Sequence, residues 1–496
     1  MGRGGRRGRA ARWLAAGAAF LAGAGAGGET GAFPAAAAGG GGGRLSGARA
    51  WVARHAGVAL EGAVLGEAGG EADLGVFAAA GGLGEGEPYL TVPWDLVLGP
   101  HSAPAGSGLA RCFADLEARY GQDSKTQLIL LLLHERFAAA GASQWAEYLD
   151  ALPQAFTTPL YWGPGALREL QGSHALAMAI EEQARVRALH KGLSRRVFAD
   201  WPALFPPAAT SLEAVSWAWS VVHSRASHVP GKGRLLVPLA DYIRDSGGPV
   251  AGGGASPAPG AEAEAAAAPA GFVEHDPAVG AAVVYSKRAY RGGEEIREDY
   301  GAWTMVDLMQ QAGYLPESRT GDCITLRVDE RLAPASAHLD PQRLKALLEA
   351  RGFDLPWHAC LRPGARAPLR RFVQFGALLE AEEAGRFSEG AEEVVAGAGA
   401  GADAGETRAP APGRHQELLL EVLEGAQAQY NATTVEEDEA MLASYMVLPG
   451  GDGGERELLQ VRLATEFRLR EKAVLRQLVD NLREATSLSE WVEAAG

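Results

Sequence analysis

The chain of 496 residues has only three cysteines, Cys112, Cys323 and Cys360, far apart and odd in number. Neither a disulfide framework nor a cysteine-rich zinc site is expected, and a reducing compartment is the default. The eleven histidines are scattered, with no H-E-x-x-H and no C-x-x-C, so no metal site is expected. No G-x-S-x-G elbow occurs, which removes the α/β-hydrolase nucleophile. Gly82-Leu83-Gly84-Glu85-Gly86 lacks the last glycine of a dinucleotide fingerprint, and Gly231-Lys232-Gly233 lacks the upstream glycine and the Ser/Thr of a P-loop. Both read as turns. Basic blocks are absent from the folded part, and 46 Lys+Arg against 61 Asp+Glu leave a net charge of −15. Nucleic acid, which needs clustered cations, is not an expected partner. No apolar run is long enough for a membrane span: Trp13 to Gly28 lacks charge but is glycine-rich, and Leu128 to Leu133 is a short run reading as a buried helix turn.

Glycine is abundant instead, at 66 residues, and much of it lies in Ala/Gly/Pro tracts that cannot pack. Residues 1–45 form a separate object. Arg3, Arg6, Arg7, Arg9 and Arg12 precede an Ala/Gly stretch, and no acid appears until Glu29. That composition fits an organelle transit peptide, with a secretory signal or an untargeted tail as alternatives. Two further tracts, 247–271 and 389–413, read as disordered loops. Strand-like sequence flanks the first, so it interrupts a domain and does not bound one.

Leu74 to Ala78 and Tyr89 to Val92 are short strand candidates separated by a Gly81 to Gly86 turn, suggesting a hairpin-like start. From Leu109 to about Lys191 the pattern is helical. Thr210-Ser211-Leu212-Glu213 reads as a capping box, followed by a helix that runs into Arg225. After Arg331 helices dominate. Thr434-Val435-Glu436-Glu437 is a second capping box, and Leu459, Leu463, Phe467, Val474, Leu478 and Leu482 recur at a helical period.

The order of several segments is more informative than any one of them. Leu74-Gly75-Val76-Phe77-Ala78 comes first, then Ser143-x-Trp145-x-x-Tyr148-Leu149-x-x-Leu152-Pro153, then Trp217-Ala218-Trp219 through Ser224-Arg225-Ala226. Val237-Pro238-Leu239-Ala240-Asp241 and Gly293-Glu294-Glu295 through Tyr300-Gly301 follow. This order resembles the SET-domain protein-lysine methyltransferases of the Rubisco large-subunit methyltransferase class. Tyr430 to Asp438 and Arg468-Leu469-Arg470-Glu471-Lys472 are similar to the two signature stretches of that class's helical substrate-binding domain.

The resemblance implies an α+β fold. A SET domain of several short sheets would span 50–325, with a helical insertion at about 105–205. An all-α substrate-binding domain would follow at 330–490. It also implies methyl transfer from S-adenosyl-L-methionine to a lysine on a protein substrate, by a monomer, in a chloroplast or other organelle. A cytoplasmic or secretory location is the alternative. Such a lysine must be neutral to attack, and a sulfonium about 4 Å away disfavours its charged form by roughly 4 kcal/mol at an effective dielectric of about 20. By the same resemblance Tyr300 is the catalytic phenol, Arg225 meets the cofactor carboxylate, and Leu74 and Gly75 form the backbone on which the cofactor rests.

Three departures accompany the resemblance. Where the class has Asp-x-x-Asn-His-Ser this chain reads Asp241-Tyr242-Ile243-Arg244-Asp245-Ser246, which puts Arg244 and Asp245 at the cofactor-contacting positions. Ser227 stands where an aromatic is usual, and Ala312-Gly313-Tyr314 where Tyr-Gly-Phe is usual. The asparagine shortly after Tyr-Gly is absent, with Met305 near its place. The expected activity is therefore lysine methylation of a non-histone protein. A catalytically impaired SET-fold protein-binding module is the alternative.

Overall fold

The computed structural model describes residues 41–68, 74–121, 123–229, 231–245, 273–298, 303–316, 321–329, 332–334, 339–383, 413–445 and 455–493. The expected loops at 247–271 and 389–413 lie outside them, apart from Gly413, as do residues 1–40 of the expected targeting segment. Its last five residues are helical: α1 (Gly41–Arg54) begins inside it. That helix is held by Trp51, fully buried, whose indole N–H donates to Gln144 O at 2.8 Å, and by Arg44 Nε donating to Ala151 O at 2.8 Å.

After α1 come β1 (Ala59–Leu60), β2 (Ala63–Glu67), β3 (Leu74–Ala78) and β4 (Pro88–Pro93). A helical insertion follows, containing α2 (Gly108–Tyr120), α3 (Ser124–His134), α4 (Ala146–Ala151), α5 (His174–Leu193) and α6 (Leu212–Arg225). The chain then returns as β5 (Ser227–Val229), β6 (Gly233–Leu235), β7 (Arg244–Asp245), β8 (Val273–Asp276), β9 (Ala281–Tyr285) and β10 (Glu295–Glu298). Two four-stranded sheets result, ordered β1-β4-β9-β8 and β2-β3-β10-β7.

The hairpin expected at the start does not form, because β3 and β4 enter different sheets. The intervening turn is pulled away by an antiparallel bridge from Leu83 to Tyr290, with Gly82 at φ 79° and Gly86 at φ 78° supplying a backbone that other residues rarely adopt. Leu128 to Leu133 are all fully buried within α3, whose first amides are capped by Asp123. A helix apolar all round belongs inside a core. The first capping box is displaced by one residue. Ser211 is the N-cap of α6 and accepts from the Ala214 amide, while Thr210 closes a preceding 3₁₀ turn.

The C-terminal part is built from β11 (Ile324–Val328), α7 (Pro341–Ala350), β12 (Trp357–Leu361), α8 (Arg366–Glu383), α9 (Arg414–Ala428), α10 (Val435–Tyr445), α11 (Glu455–Glu484) and α12 (Leu488–Glu493). It is helical apart from one antiparallel ladder, β11 with β12. Thr434 caps α10 as expected, exchanging bonds with Glu437. The cysteine reading is corrected here: Cys323 and Cys360 form a disulfide with Cα atoms 5.4 Å apart. Strand pairing causes it, since Thr325 lies opposite Cys360, a proximity that 37 residues of separation conceal.

Two large apolar cores serve the two parts, and a smaller cluster joins them, with Trp162, Leu170, Met309, Ala464 and Phe467 at its centre. Between the cores the middle of α11, Phe467 to Lys472, is buried on every side. Arg468 and Glu471 are fully buried, and Arg470 and Lys472 nearly so. Such charges persist only when paired. Arg468 donates to Asp438 at 2.6 and 3.2 Å and to Glu169 at 2.9 Å, Lys472 donates to Asp438 at 2.7 Å, and Arg470 reaches Pro316 O at 2.7 Å. Tyr430 donates to Glu471 at 2.7 Å. The second signature stretch is thus a buried clamp between the two parts. Among the described residues no helix is long and apolar enough to cross a membrane, and no cluster of three His, Cys, Asp or Glu suits a metal ion.

Candidate functional site

Segments far apart in sequence meet at the C-terminus of α6. Arg225, its last residue, donates from one terminal nitrogen to Asp241 O at 3.0 Å and to Asp241 Oδ2 at 3.4 Å. Asp241 lies in a 3₁₀ turn, Ala240–Tyr242, entered through Leu239 at φ 72°, the one non-glycine residue with positive φ among the described residues. A branched side chain there costs about 1 kcal/mol or more, and full burial of Leu239 holds it. This turn packs against β3, the strand that carries Leu74 and Gly75.

The carboxylate of Asp241 is fully buried, and desolvation pushes its pKa up to about 6 despite Arg225 beside it. From α4 the hydroxyl of Tyr148 faces this carboxylate without reaching hydrogen-bond geometry. Burial raises the phenol well above its usual range, as it does for Tyr242. Asp241 Oδ1, Tyr148 OH and Tyr242 OH are buried with no hydrogen-bond partner among the described residues.

Arg244 and Asp245 lie one strand away, in β7, parallel to β10 with Arg244 opposite Arg297 and Asp245 opposite Glu298. The Arg244 guanidinium is turned to Glu295, donating at 2.6 and 3.0 Å, and Arg297 adds a bond at 2.8 Å to the same carboxylate. Burial works to raise the Glu295 pKa, and these bonds overcome it and leave it lowered. Gly75 sits beneath. A Cβ there would fall 2.8 Å from Ala68 Cβ, 3.2 Å from Phe77 and 3.3 Å from Glu295 Oε1. In this structure its missing side chain accommodates neighbouring protein groups. Arg225 meets the acid Asp241.

Tyr300 lies outside the described residues. Strand β10 ends two residues before it in sequence, at Glu298, which is buried and accepts from Tyr89 OH at 3.3 Å. The structure therefore brings together Arg225 with the strand of Leu74 and Gly75, and places Arg244 in an ion pair on the same sheet. Tyr148, Asp241 and Glu295 were passed over as site residues, although all three stand in the quoted segments. Their signal was polarity: Tyr148 and Asp241 are the hydroxyl and the acid among mostly apolar neighbours.

The solved structure of Rubisco LSMT bound to AdoMet superposes with a TM-score of 0.59 over 90% of this chain and 93% of its own, at 20% identity. The SET domain of LSMT bound to lysine and AdoHcy gives 0.60 over 89% and 91%, at 19% identity. This chain has the SET-domain fold of Rubisco LSMT. A curated relative, the chloroplastic [fructose-bisphosphate aldolase]-lysine N-methyltransferase of Arabidopsis thaliana, is 28% identical over 162 residues. That match spans 32% of the relative's length and 32% of this SET-domain chain. No protein-family model matches the chain.

Proposed function

We propose that this protein is an S-adenosylmethionine-dependent lysine N-methyltransferase acting on a non-histone protein. The observation that carries the reading is the convergence of Arg225, the Asp241 turn and the Leu74-Gly75 strand in a fold whose relatives include structures bound to AdoMet and AdoHcy. The residues fit such a cofactor at one end. The Arg225 side chain keeps 16% of its surface exposed, and a guanidinium suits a carboxylate through paired N–H donors. The cofactor supplies an electrophilic methyl group. Tyr300 is assigned to orient the lysine amine, and Leu74 and Gly75 to support the cofactor through backbone. The named substrate of the Arabidopsis relative supports a non-histone protein target, and its chloroplastic location, with the arginine-rich, acid-free start of this chain, supports an organelle.

A second reading is a SET-fold protein-binding module with impaired turnover. The Arg244–Glu295 ion pair favours it, because a guanidinium committed to a neighbouring carboxylate is less available to a cofactor. Tritium transfer from labelled S-adenosylmethionine onto protein of a plastid extract tests the two. Labelled methyl-lysine is the expected result. Stable capture of a partner without label, using the same preparation, would overturn methyl transfer in favour of the module.

A further inference from the structure

Resting on the reading of Arg225 as the holder of the cofactor carboxylate, we infer that Asp241 is a positioning residue that fixes the Arg225 guanidinium for that task. Arg225 is the last residue of α6, beyond which the helix offers it no further turn to lie against. The Asp241 turn grips its side chain through one backbone carbonyl and one carboxylate oxygen on the same nitrogen. Two acceptors on one terminal nitrogen fix that corner of the planar fork, and with it the orientation of the whole guanidinium. The turn is itself constrained, by the left-handed Leu239 on one side and the full burial of Tyr242 and Ile243 on the other.

The energetics distinguish positioning from ordinary packing. A fully buried carboxylate with one oxygen unpartnered destabilises the fold. Asparagine would be nearly the same shape without that burden, so stability alone gives no reason for an acid here. The groups that face Asp241 are Arg225 from α6, Tyr148 from α4 and Tyr242 from its own turn, with Arg44 of α1 acting on Tyr242; β3 contributes no titratable group. Only Arg225 among them carries a charge that an ionised Asp241 can orient at first hand.

The experiment is calorimetric binding of S-adenosylmethionine to the full chain and to its Asp241→Asn and Arg225→Ala variants between pH 5 and 8, with melting curves recorded in parallel. For Asp241→Asn the expected result is an affinity loss of about tenfold or more at pH 8, with a melting point no lower than that of the parent. Affinity of the parent should fall as pH drops through about 6, where Asp241 takes up its proton, and Asp241→Asn should show no such limb. Equal affinity in parent and Asp241→Asn overturns the inference, as does Asp241→Asn losing affinity and melting point together. Failure of the parent to bind, or equal binding by Arg225→Ala, overturns the underlying reading of Arg225 itself.

Discussion

Arg468→Ala probes the clamp between the two parts of the molecule most directly. Both Arg468 and Asp438 have no exposed side-chain surface, and the pair is bidentate at 2.6 and 3.2 Å. The same guanidinium crosses to Glu169 at 2.9 Å, so one truncation unpairs two carboxylates and leaves a cavity. Removing one partner of a buried pair costs about 3 to 5 kcal/mol, because the remaining charge stays desolvated. Lys472, 2.7 Å from Asp438, still neutralises part of that charge, which places the expected loss near the lower end, about 3 kcal/mol. For a part of this size that is a fall of roughly 6 to 12 °C in melting temperature. Differential scanning calorimetry would read it. Arg483→Ala, at a pair with Glu424 whose arginine side chain is 53% exposed, is the control and should change little. A melting point of Arg468→Ala within a degree or so of the parent would refute the view that α11 ties the parts together through charge.

Four further outcomes are expected. Tyr300→Phe should cut the methylation rate while leaving cofactor affinity and melting temperature nearly unchanged, measured by turnover and calorimetry; intact turnover would make Tyr300 structural. Arg225→Ala should weaken S-adenosylmethionine binding by about 1.5 to 3 kcal/mol, the range for a hydrogen bond to a charged group. Arg244→Asn alone should lower stability in thermal denaturation by leaving Glu295 to Arg297, and Arg244→Asn with Glu295→Gln should recover it; identical melts for the two would sink the ion pair as a tie between β7 and β10. Glu471 is fully buried, and desolvation pushes its pKa up to about 7 from a usual 4.5. A raised carboxyl favours the fold when protonated, so stability should decline as pH rises from 4.5 and the loss should be complete above about 7. Glu471→Gln should flatten that slope in pH-dependent melts.

Elements set by local chemistry were legible before the structure. Leu128 to Leu133 could only be buried, and Thr434 with Glu437 closes the helix start that its spacing describes. Thr210 and Ser211 show the limit of such reading, since two adjacent hydroxyls compete for one cap and only the backbone path decides between them. The α+β architecture and the SET resemblance rested on segment order, and the superposed structures agree with them. Long-range pairing was not legible. The Gly81–Gly86 turn looked local, yet it answers to Tyr290, and Cys323 meets Cys360 only because β11 lies beside β12. At the site, the contact of Arg225 with Asp241 was not legible, since it depends on the turn entered through the strained Leu239.

The disulfide has a practical corollary for anyone labelling this protein. With Cys323 and Cys360 joined, Cys112 is the one remaining thiol, and it is fully buried, its pKa pushed up to about 12 chiefly by desolvation. A thiol that does not ionise near neutrality is a poor nucleophile toward maleimides and iodoacetamides. The native chain is therefore chemically silent to such reagents. A cysteine introduced at an exposed position, such as Val279 at 64% exposure, would be the single point of attachment for a fluorophore or spin label, with no native cysteine needing to be removed first.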